Sequence, residues 1–216
     1  MEIRAFIQAR MSSKRFPGKV LAPLSGRPII AHVIDHVSKV VSADGIVVAT
    51  STDQSDDPLA CYVRHLGFQV FRGPLENVFR RFHLCLREYP CRWFFRVCAD
   101  SPALDIRLLR QALAMCVEPR VDLITNVFPR TFPKGRSVEL INAESFYTLG
   151  LDREMNREEK EHVTKVFYDH PSEFMILNFE SGDPSLINKS FAVDRPEDLD
   201  LLAQSLSPAQ ARRLRS

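Results

Sequence analysis

Residues 3–37 read IRAFIQARMSSKRFPGKVLAPLSGRPIIAHVIDHV. A short apolar run, Ile3–Ala9, opens into Arg10, Lys14, Arg15 and Lys19, which are interleaved with serines and the Pro17-Gly18 pair. A helical pattern follows over Ile29–Val40, with Pro28 suited to its first turn. Strand, cationic loop, helix is the first unit of an alternating fold. The loop itself admits two readings, a solvated surface turn or a pocket for a polyanion, and the rest of the chain must choose between them.

The same rhythm repeats downstream. Apolar runs at Gly45–Thr50, Gln69–Phe71, Arg92–Ala99 and Asp122–Asn126 read as strands. Pro58–Leu66, Glu76–Arg87 and Leu104–Cys116 carry apolar residues at three- and four-residue spacing and read as helices, with Gly67 ending the first of these. This is an α/β chain of βα units around a mainly parallel central sheet. After about residue 127 the pattern changes. Ser137–Ile141 and Phe174–Phe179 read as strands and Arg157–Tyr168 as a helix, within a small inserted arm over 128–188. The chain then returns through a last strand, Phe191–Val193, and a helix, Glu197–Leu206. One domain over 1–206 is expected, with 207–216 a peripheral tail.

Composition narrows the function classes. The chain has 216 residues, of which 45% are hydrophobic, enough for a real core. Its 29 basic and 27 acidic residues leave a formal charge of +2. That balance opposes a dedicated nucleic-acid binder while leaving room for a local positive pocket. No stretch is long and apolar enough to cross a bilayer, and the start lacks a secretory leader pattern. The five cysteines, Cys61, Cys85, Cys91, Cys98 and Cys116, are odd in number and lack a CxxC, so they read as reduced thiols of a cytoplasmic protein.

Two aspartates share one local setting. Asp100 follows an apolar run in WFFRVCADSP and Asp194 does so in SFAVDRPEDL, each with a proline two residues later. In an open α/β sheet, ligands collect beyond the carboxyl ends of strands. As turn or cap residues these aspartates would be ordinary. As a pair above the sheet they would be hard oxygen ligands for Mg²⁺, opposite a cationic loop for phosphates. GxxxxGK[ST] is absent, because Lys19 is followed by Val20, and so is GxGxxG. Phosphate recognition would therefore fall to side chains, for which the arginine fork is well shaped.

The opening stretch, together with FRGPLENVFRRF, FRVCADSP, RTFPKGRSVELI, EKEHVTKVFYDHPSEF and FAVDRPEDLDLL, resembles the spore-coat polysaccharide F-type cytidylyltransferases. These are relatives of the acylneuraminate and 3-deoxy-manno-octulosonate cytidylyltransferases. The resemblance spans roughly residues 3–203. It implies a Rossmann-like nucleotidyltransferase fold, a homodimer formed with the arm, and transfer of CMP from CTP to an acidic sugar, a small anionic acceptor, with release of pyrophosphate. By motif position Arg10, Ser12, Ser13, Arg15 and Lys19 form the triphosphate loop, and Arg72 and Gly73 lie near the nucleotide. Asp100 and Asp194 take the metal positions. Arg10, Lys19, Asp100 and Asp194 are the candidate catalytic residues.

Lys134, Arg136, Glu139 and His162 fall in the later motifs and are candidate acceptor contacts. PKGRSVEL departs from the expected pattern by carrying Arg136 and Ser137, so the acceptor need not be that of better-known relatives. His32 and His36 are spaced like a metal pair, but no third ligand accompanies them. Phe79 and Phe82 read as core, and Arg80, Arg81 and Arg87 as a wetted helix face. The competing readings are a nucleotidyltransferase acting on a sugar phosphate, phosphonate or phosphoalcohol, and an inactive nucleotide-binding module.

Overall fold

The computed structural model describes residues 2–116 and 120–205. Seven strands form one sheet in the order β5-β4-β1-β6-β8-β7-β9. They are β1 (Ile3–Gln8), β4 (Ile46–Ser51), β5 (Gln69–Gly73), β6 (Trp93–Cys98), β7 (Leu123–Thr125), β8 (Glu139–Asn142) and β9 (Ile176–Asn178). A two-residue-per-arm hairpin, β2 (Pro23–Leu24) with β3 (Arg27–Pro28), precedes the first helix. Only β8 opposes its neighbours, pairing antiparallel with β6 and β7; every other pairing in the sheet is parallel.

The pleat of the parallel strands sorts side chains to two covered faces, and this explains their near-continuous apolar runs. On one face Ala5, Ile7, Ile46, Val48, Phe95 and Val97 pack against α1 (Ile29–Val37), α2 (Asp57–His65) and α4 (Ile106–Ala114). On the other, Phe6, Val47, Ala49 and Phe94 pack against α3 (Val78–Glu88), α5 (Ala143–Asp152) and α7 (Lys165–Asp169), with Met155 and Val163 flanking α6 (Arg157–Glu161) in the same cluster. The Phe6 and Phe94 rings stack at 4.9 Å, and Phe146 of α5 meets Phe94 edge-on at 5.3 Å. α8 (Glu197–Ser205) closes a small cluster with Leu24, Ile29 and Val193 through Leu202.

Helix ends follow local chemistry. Gly67, at φ +84°, ends α2, with Gly67 N–H on Arg64 O and Phe68 N–H on Val63 O, the paired bonds of a left-handed cap. Asn77, Asp105 and Asn142 cap α3, α4 and α5 with side-chain oxygens, and Asn156 with Glu159 builds a capping box on α6.

Several elements differ from expectation. The helix read over Arg157–Tyr168 is two short ones, because the chain leaves helical geometry at His162 and re-enters at Lys165. α5 escaped the pattern reading altogether. Residues 191–193 are not a strand of the sheet. Phe191 N–H bonds Lys134 O and Val193 N–H bonds Asp100 O, so the segment is tied to two different loops and gains no ladder. The segment 128–188 supplies β8 and β9 to the central sheet. Arg81 is not on a wetted face: Arg80 and Arg87 are exposed, but Arg81 is wholly buried. His32 is buried with its Nε2 against Leu24 O, and burial lowers the pKa of both His32 and His36, as suits neutral core residues. The tail 207–216 lies outside the described residues.

Among the described residues no helix is long and apolar enough to cross a membrane. All five cysteines are free thiols; Cys61 is exposed, and Cys85 and Cys116 are buried. Burial pushes the Cys91 thiol up to about 12 and Cys98 up to about 11, which removes the reactive thiolate at neutral pH. Native labelling with a maleimide should therefore modify Cys61 first, with the other four reacting on denaturation. Peptide mass mapping that found early modification at Cys98 would contradict this packing.

Candidate active site

The carboxyl ends of β5, β4, β1 and β6 lie in that order along one edge of the sheet, and each opens into a loop carrying polar side chains. The loop after β1 is pinned rather than free. Its Met11 N–H donates to Asp56 Oδ1 at 2.7 Å. Asp56 is fully buried at the end of β4, where its Oδ2 also accepts from Thr50 Oγ1 (2.9 Å), Ser51 N–H (3.0 Å) and the Ser51 hydroxyl. The loop then folds on itself, with Ser13 N–H and Gly18 N–H both bonded to Met11 O. Gly18, at φ +73°, makes the turn that launches Lys19 into a single helical turn, Lys19–Leu21.

That turn delivers the Lys19 ammonium to the aspartate pair. Nζ lies 2.7 Å from Asp100 Oδ2, 3.2 Å from Asp194 Oδ1 and 2.9 Å from Val193 O. Arg15 reaches the same Asp194 oxygen at 2.8 Å. The Lys19 side chain is only 12% exposed, against 27% for Asp100 and 40% for Asp194. The backbone completes the junction: Val193 N–H donates to Asp100 O, and Asp198 Oδ2 receives Asp194 N–H at 2.7 Å. Four of the residues read from sequence thus meet at one point, drawn from three distant parts of the chain.

The other candidates are placed differently. Arg10 leans toward Glu161 of α6, 3.9 Å away, and Ser12 is exposed. Ser13 accepts Phe16 N–H through its hydroxyl. Arg72 is engaged with protein, donating to Ser51 O and Asp53 O at 2.8 Å and pairing with Asp57 at 2.6 Å, so it braces the β4–α2 corner. Gly73 ends β5 where any side chain would strike Phe71 and Arg81. Glu139 is 4% exposed, with both oxygens taken: Oε1 by Thr164 Oγ1 and Tyr168 Oη, each at 2.7 Å, and Oε2 by Arg96 Nη1 at 3.0 Å. Burial, reinforced by that carboxylate, holds the Tyr168 phenol well above its ordinary value. Lys134 and His162 are exposed. The Arg136 guanidinium stacks 4.3 Å over the Phe191 ring, and burial lowers its pKa.

A divalent cation fits this donor set. Two carboxylates already converge on one positive centre, and Mg²⁺ usually binds through one or two carboxylates with phosphates and water completing the shell. Among the described residues no group of three or more His, Cys, Asp and Glu is placed to hold a metal, so the remaining ligands would be substrate oxygens and water.

Asp56 escapes the sequence reading, and Arg81 is assigned there to a wetted helix face although it is buried. Asp56 stands in the acidic run TDQSDD directly after β4, a strand-end carboxylate like the other two. Arg81 is three residues after Val78 and four before Cys85, both buried on α3, so helical spacing puts it on the apolar side.

A profile of the cytidylyltransferase family matches residues 5–207. The chain is 29% identical to the spore coat polysaccharide biosynthesis protein SpsF of Bacillus subtilis over 186 residues, 84% of this chain and 76% of that protein. A 73-residue stretch, 33% of this chain and 28% of the relative, is 42% identical to a 3-deoxy-manno-octulosonate cytidylyltransferase from Anaeromyxobacter. In fold, the chain superposes on a cytidylyltransferase from Leptospira borgpetersenii with TM-score 0.87 at 23% identity, covering 94% of this chain and 86% of that one. It also superposes on a CMP:2-keto-3-deoxy-manno-octonic acid synthetase solved with CTP, with TM-score 0.71 at 19% identity, covering 95% of this chain and all of that one.

The return segment that carries Asp194 depends on Gly135. Gly135 sits at φ +84°, and a Cβ there would lie 2.5 Å from Ala192 N and Phe191 C. Gly26, at φ +83°, has open space around it. Gly26→Ala should cost only the left-handed penalty, about 1–2 kcal/mol. Gly135→Ala should cost more and lower Tm by at least about 4 °C, at roughly 2–4 °C per kcal/mol for a chain of this size. Equal losses in thermal melts of the two variants would show that the approach of 135 to 191–192 is not tight.

Proposed function

The chain belongs to the cytidylyltransferase family, and from that premise we propose that it transfers CMP from CTP to an acidic sugar or a closely related small anionic acceptor, releasing pyrophosphate. The observation that carries this reading is the Lys19 ammonium held between Asp100 and Asp194 at the carboxyl edge of the sheet. The cations that would grip a triphosphate and the carboxylates that would hold its metal are already in contact.

In this mechanism the acceptor oxygen, its proton given up to solvent, attacks the α-phosphorus in line, and the bond from that phosphorus to the bridging oxygen of the β-phosphate breaks, releasing pyrophosphate. Lys19 and Arg15 exchange their aspartate partners for phosphate oxygens as CTP arrives. With Arg10 they balance the charge that builds on the departing pyrophosphate. The backbone N–H groups of Ser12, Lys14 and Arg15, in the same turn of chain, would orient the phosphates beside them. Asp56, by holding Met11 N–H, keeps that loop in register with β4 and β1. Asp100 and Asp194, relieved of Lys19, are the residues that would hold Mg²⁺. When bound, the ion would supply charge neutralisation at the α-phosphate and lower the proton affinity of the acceptor oxygen.

The acceptor class rests on the relatives, whose names cover spore coat polysaccharide biosynthesis and 3-deoxy-manno-octulosonate activation. Of the four candidate acceptor contacts, Lys134 and His162 are exposed, while Glu139 positions Arg96, Thr164 and Tyr168. Exposed Met175 and Ile187 on the arm suit pairing with a second copy. Five free thiols suit the cytoplasm. A sugar phosphate or phosphonate acceptor would use the same nucleotide site. The inactive-module reading is disfavoured by the intact carboxylate pair.

The direct test incubates the protein with CTP and Mg²⁺ against nonulosonates, octulosonates, sugar phosphates and phosphonates, reading pyrophosphate and the mass of the CMP adduct. An adduct with one acidic sugar is expected. Pyrophosphate from none of them would return the chain to a binding role. Asp100→Asn should reduce kcat by about 100-fold or more, as loss of a group that stabilises transition-state charge does, and lower Tm as well because it breaks the Lys19 pair. Turnover equal to the parent would remove Asp100 from the chemistry.

A further inference from the structure

An ammonium has three N–H donors, and each of those on Lys19 has an acceptor: Asp100 Oδ2 at 2.7 Å, Val193 O at 2.9 Å and Asp194 Oδ1 at 3.2 Å. The head of this side chain is therefore fully satisfied by the protein. Its stem is fixed from behind. Lys19 opens the helical turn Lys19–Leu21, whose Val20 is buried, and Ala22 N–H closes that turn on Lys19 O. On the far side of Asp100, Oδ1 accepts the Ser101 hydroxyl at 3.3 Å, so both oxygens of this carboxylate are engaged. Arg15 is held more loosely. It reaches Asp194 Oδ1 at 2.8 Å from a side chain that is 61% exposed, a surface contact that solvent screens.

The oxygens that Lys19 occupies are those a divalent ion would take. Mg²⁺ binds oxygen at about 2.0–2.1 Å and gives up its water reluctantly. An ammonium 2.7 Å from one of these oxygens and 3.2 Å from the other stands where that ion would have to sit. Charge points the same way. Two carboxylates face one ammonium and one guanidinium, so the cluster is balanced before any ion arrives. A bare dication would have to expel Lys19, which among the described residues pairs with no other carboxylate. Separating a mostly buried charge from its partners in that way is costly. A triphosphate changes both sides at once. Its oxygens give Lys19 and Arg15 new acceptors, and their departure leaves the two carboxylates with a net negative charge.

We propose that Lys19 is a latch on the carboxylate pair. While its ammonium lies between Asp100 and Asp194 the pair is closed to a divalent ion, and it opens only when phosphate draws Lys19 away. The chain then takes up its ion with the nucleotide and not before it. The inference rests on the cytidylyl reading above, which supplies the triphosphate, and goes beyond it in making ion binding conditional.

Manganese alone, without nucleotide, is the probe. Titrated into the full chain and followed by the paramagnetic resonance of free Mn²⁺, it should bind the parent weakly. Lys19→Met keeps the length of the stem and removes the charge. It should bind Mn²⁺ about tenfold or more tighter than the parent, because the carboxylates then lack their buried cation. The Tm of this variant should fall below the parent's without ions and recover with Mg²⁺, whereas the parent's Tm should not respond to Mg²⁺. Adding Asp100→Asn to Lys19→Met should abolish both the binding and the recovery. Equal Mn²⁺ binding by parent and Lys19→Met would overturn the latch, as would a variant whose Tm stays low whatever the ion. Should the variant not fold, amide resonances of the parent serve instead. Those of Asp100 and Val193 should keep their widths with Mn²⁺ alone and broaden with Mn²⁺ and CTP together; broadening with Mn²⁺ alone would overturn the proposal. Failure of the parent to bind CTP in calorimetry would overturn the cytidylyl reading itself. That result is separate, because the Mn²⁺ titrations contain no nucleotide.

Discussion

The Lys19 ammonium between Asp100 and Asp194 is the contact on which the carboxyl edge of this sheet depends. Two carboxylates that share one site repel unless a cation lies between them. Lys19 supplies that charge with bonds of 2.7 Å and 3.2 Å, across 81 and 175 residues of sequence. The segment before Asp194 belongs to no strand and is held by two backbone bonds, one to Lys134 O and one to Asp100 O. The ammonium, bonded also to Val193 O, joins the packing of Phe191 and Val193 in holding the return of the chain onto the main domain. A partly buried charge triad of this kind is costly to break at one member, because the charge left behind has no partner. It is also easily re-partnered by an incoming anion and cation together, which is what a metal-bound triphosphate offers.

Around that junction the fold works by fixing loops from below. Asp56 gathers backbone and hydroxyl donors from the end of β4 and from Met11, so the loop after β1 is fixed from below. Arg72 ties the β5 end to the β4–α2 corner through Ser51 O, Asp53 O and Asp57. Gly18 and Gly135 supply left-handed turns on either side, one aiming Lys19 and the other letting the arm lie against residues 191–192. Preorganisation of this sort places fixed dipoles and charges where a reaction develops charge, and spares the site reorganisation at that moment.

Much of this was legible in the residues because several signals agreed. Alternating apolar runs and helical periods located β1, β4, β5, β6 and the helices between them, since strands covered on both faces must be apolar throughout. Asp100 and Asp194 were legible because each follows an apolar run and precedes a proline. The arm was harder. β8 enters the sheet antiparallel between β6 and β7, and no local pattern announces which strands a segment will join. Residues 191–193 look like a strand because Phe191 and Val193 pack inward, yet packing does not supply a ladder. Glu139 read as an acceptor contact because a lone glutamate in a motif carries no mark of its partners; Arg96, Thr164 and Tyr168 are far away in sequence. Arg81 was misread because charge was weighed above its helical position.

The most direct measurement is a crystal structure of the chain with a non-hydrolysable CTP analogue and Mn²⁺, reading the anomalous peak of the ion. The ion is expected between the Asp100 and Asp194 carboxylates, with Lys19 moved onto the phosphates. An ion bound elsewhere, with Lys19 still bridging the two aspartates beside a bound nucleotide, would contradict the central claim.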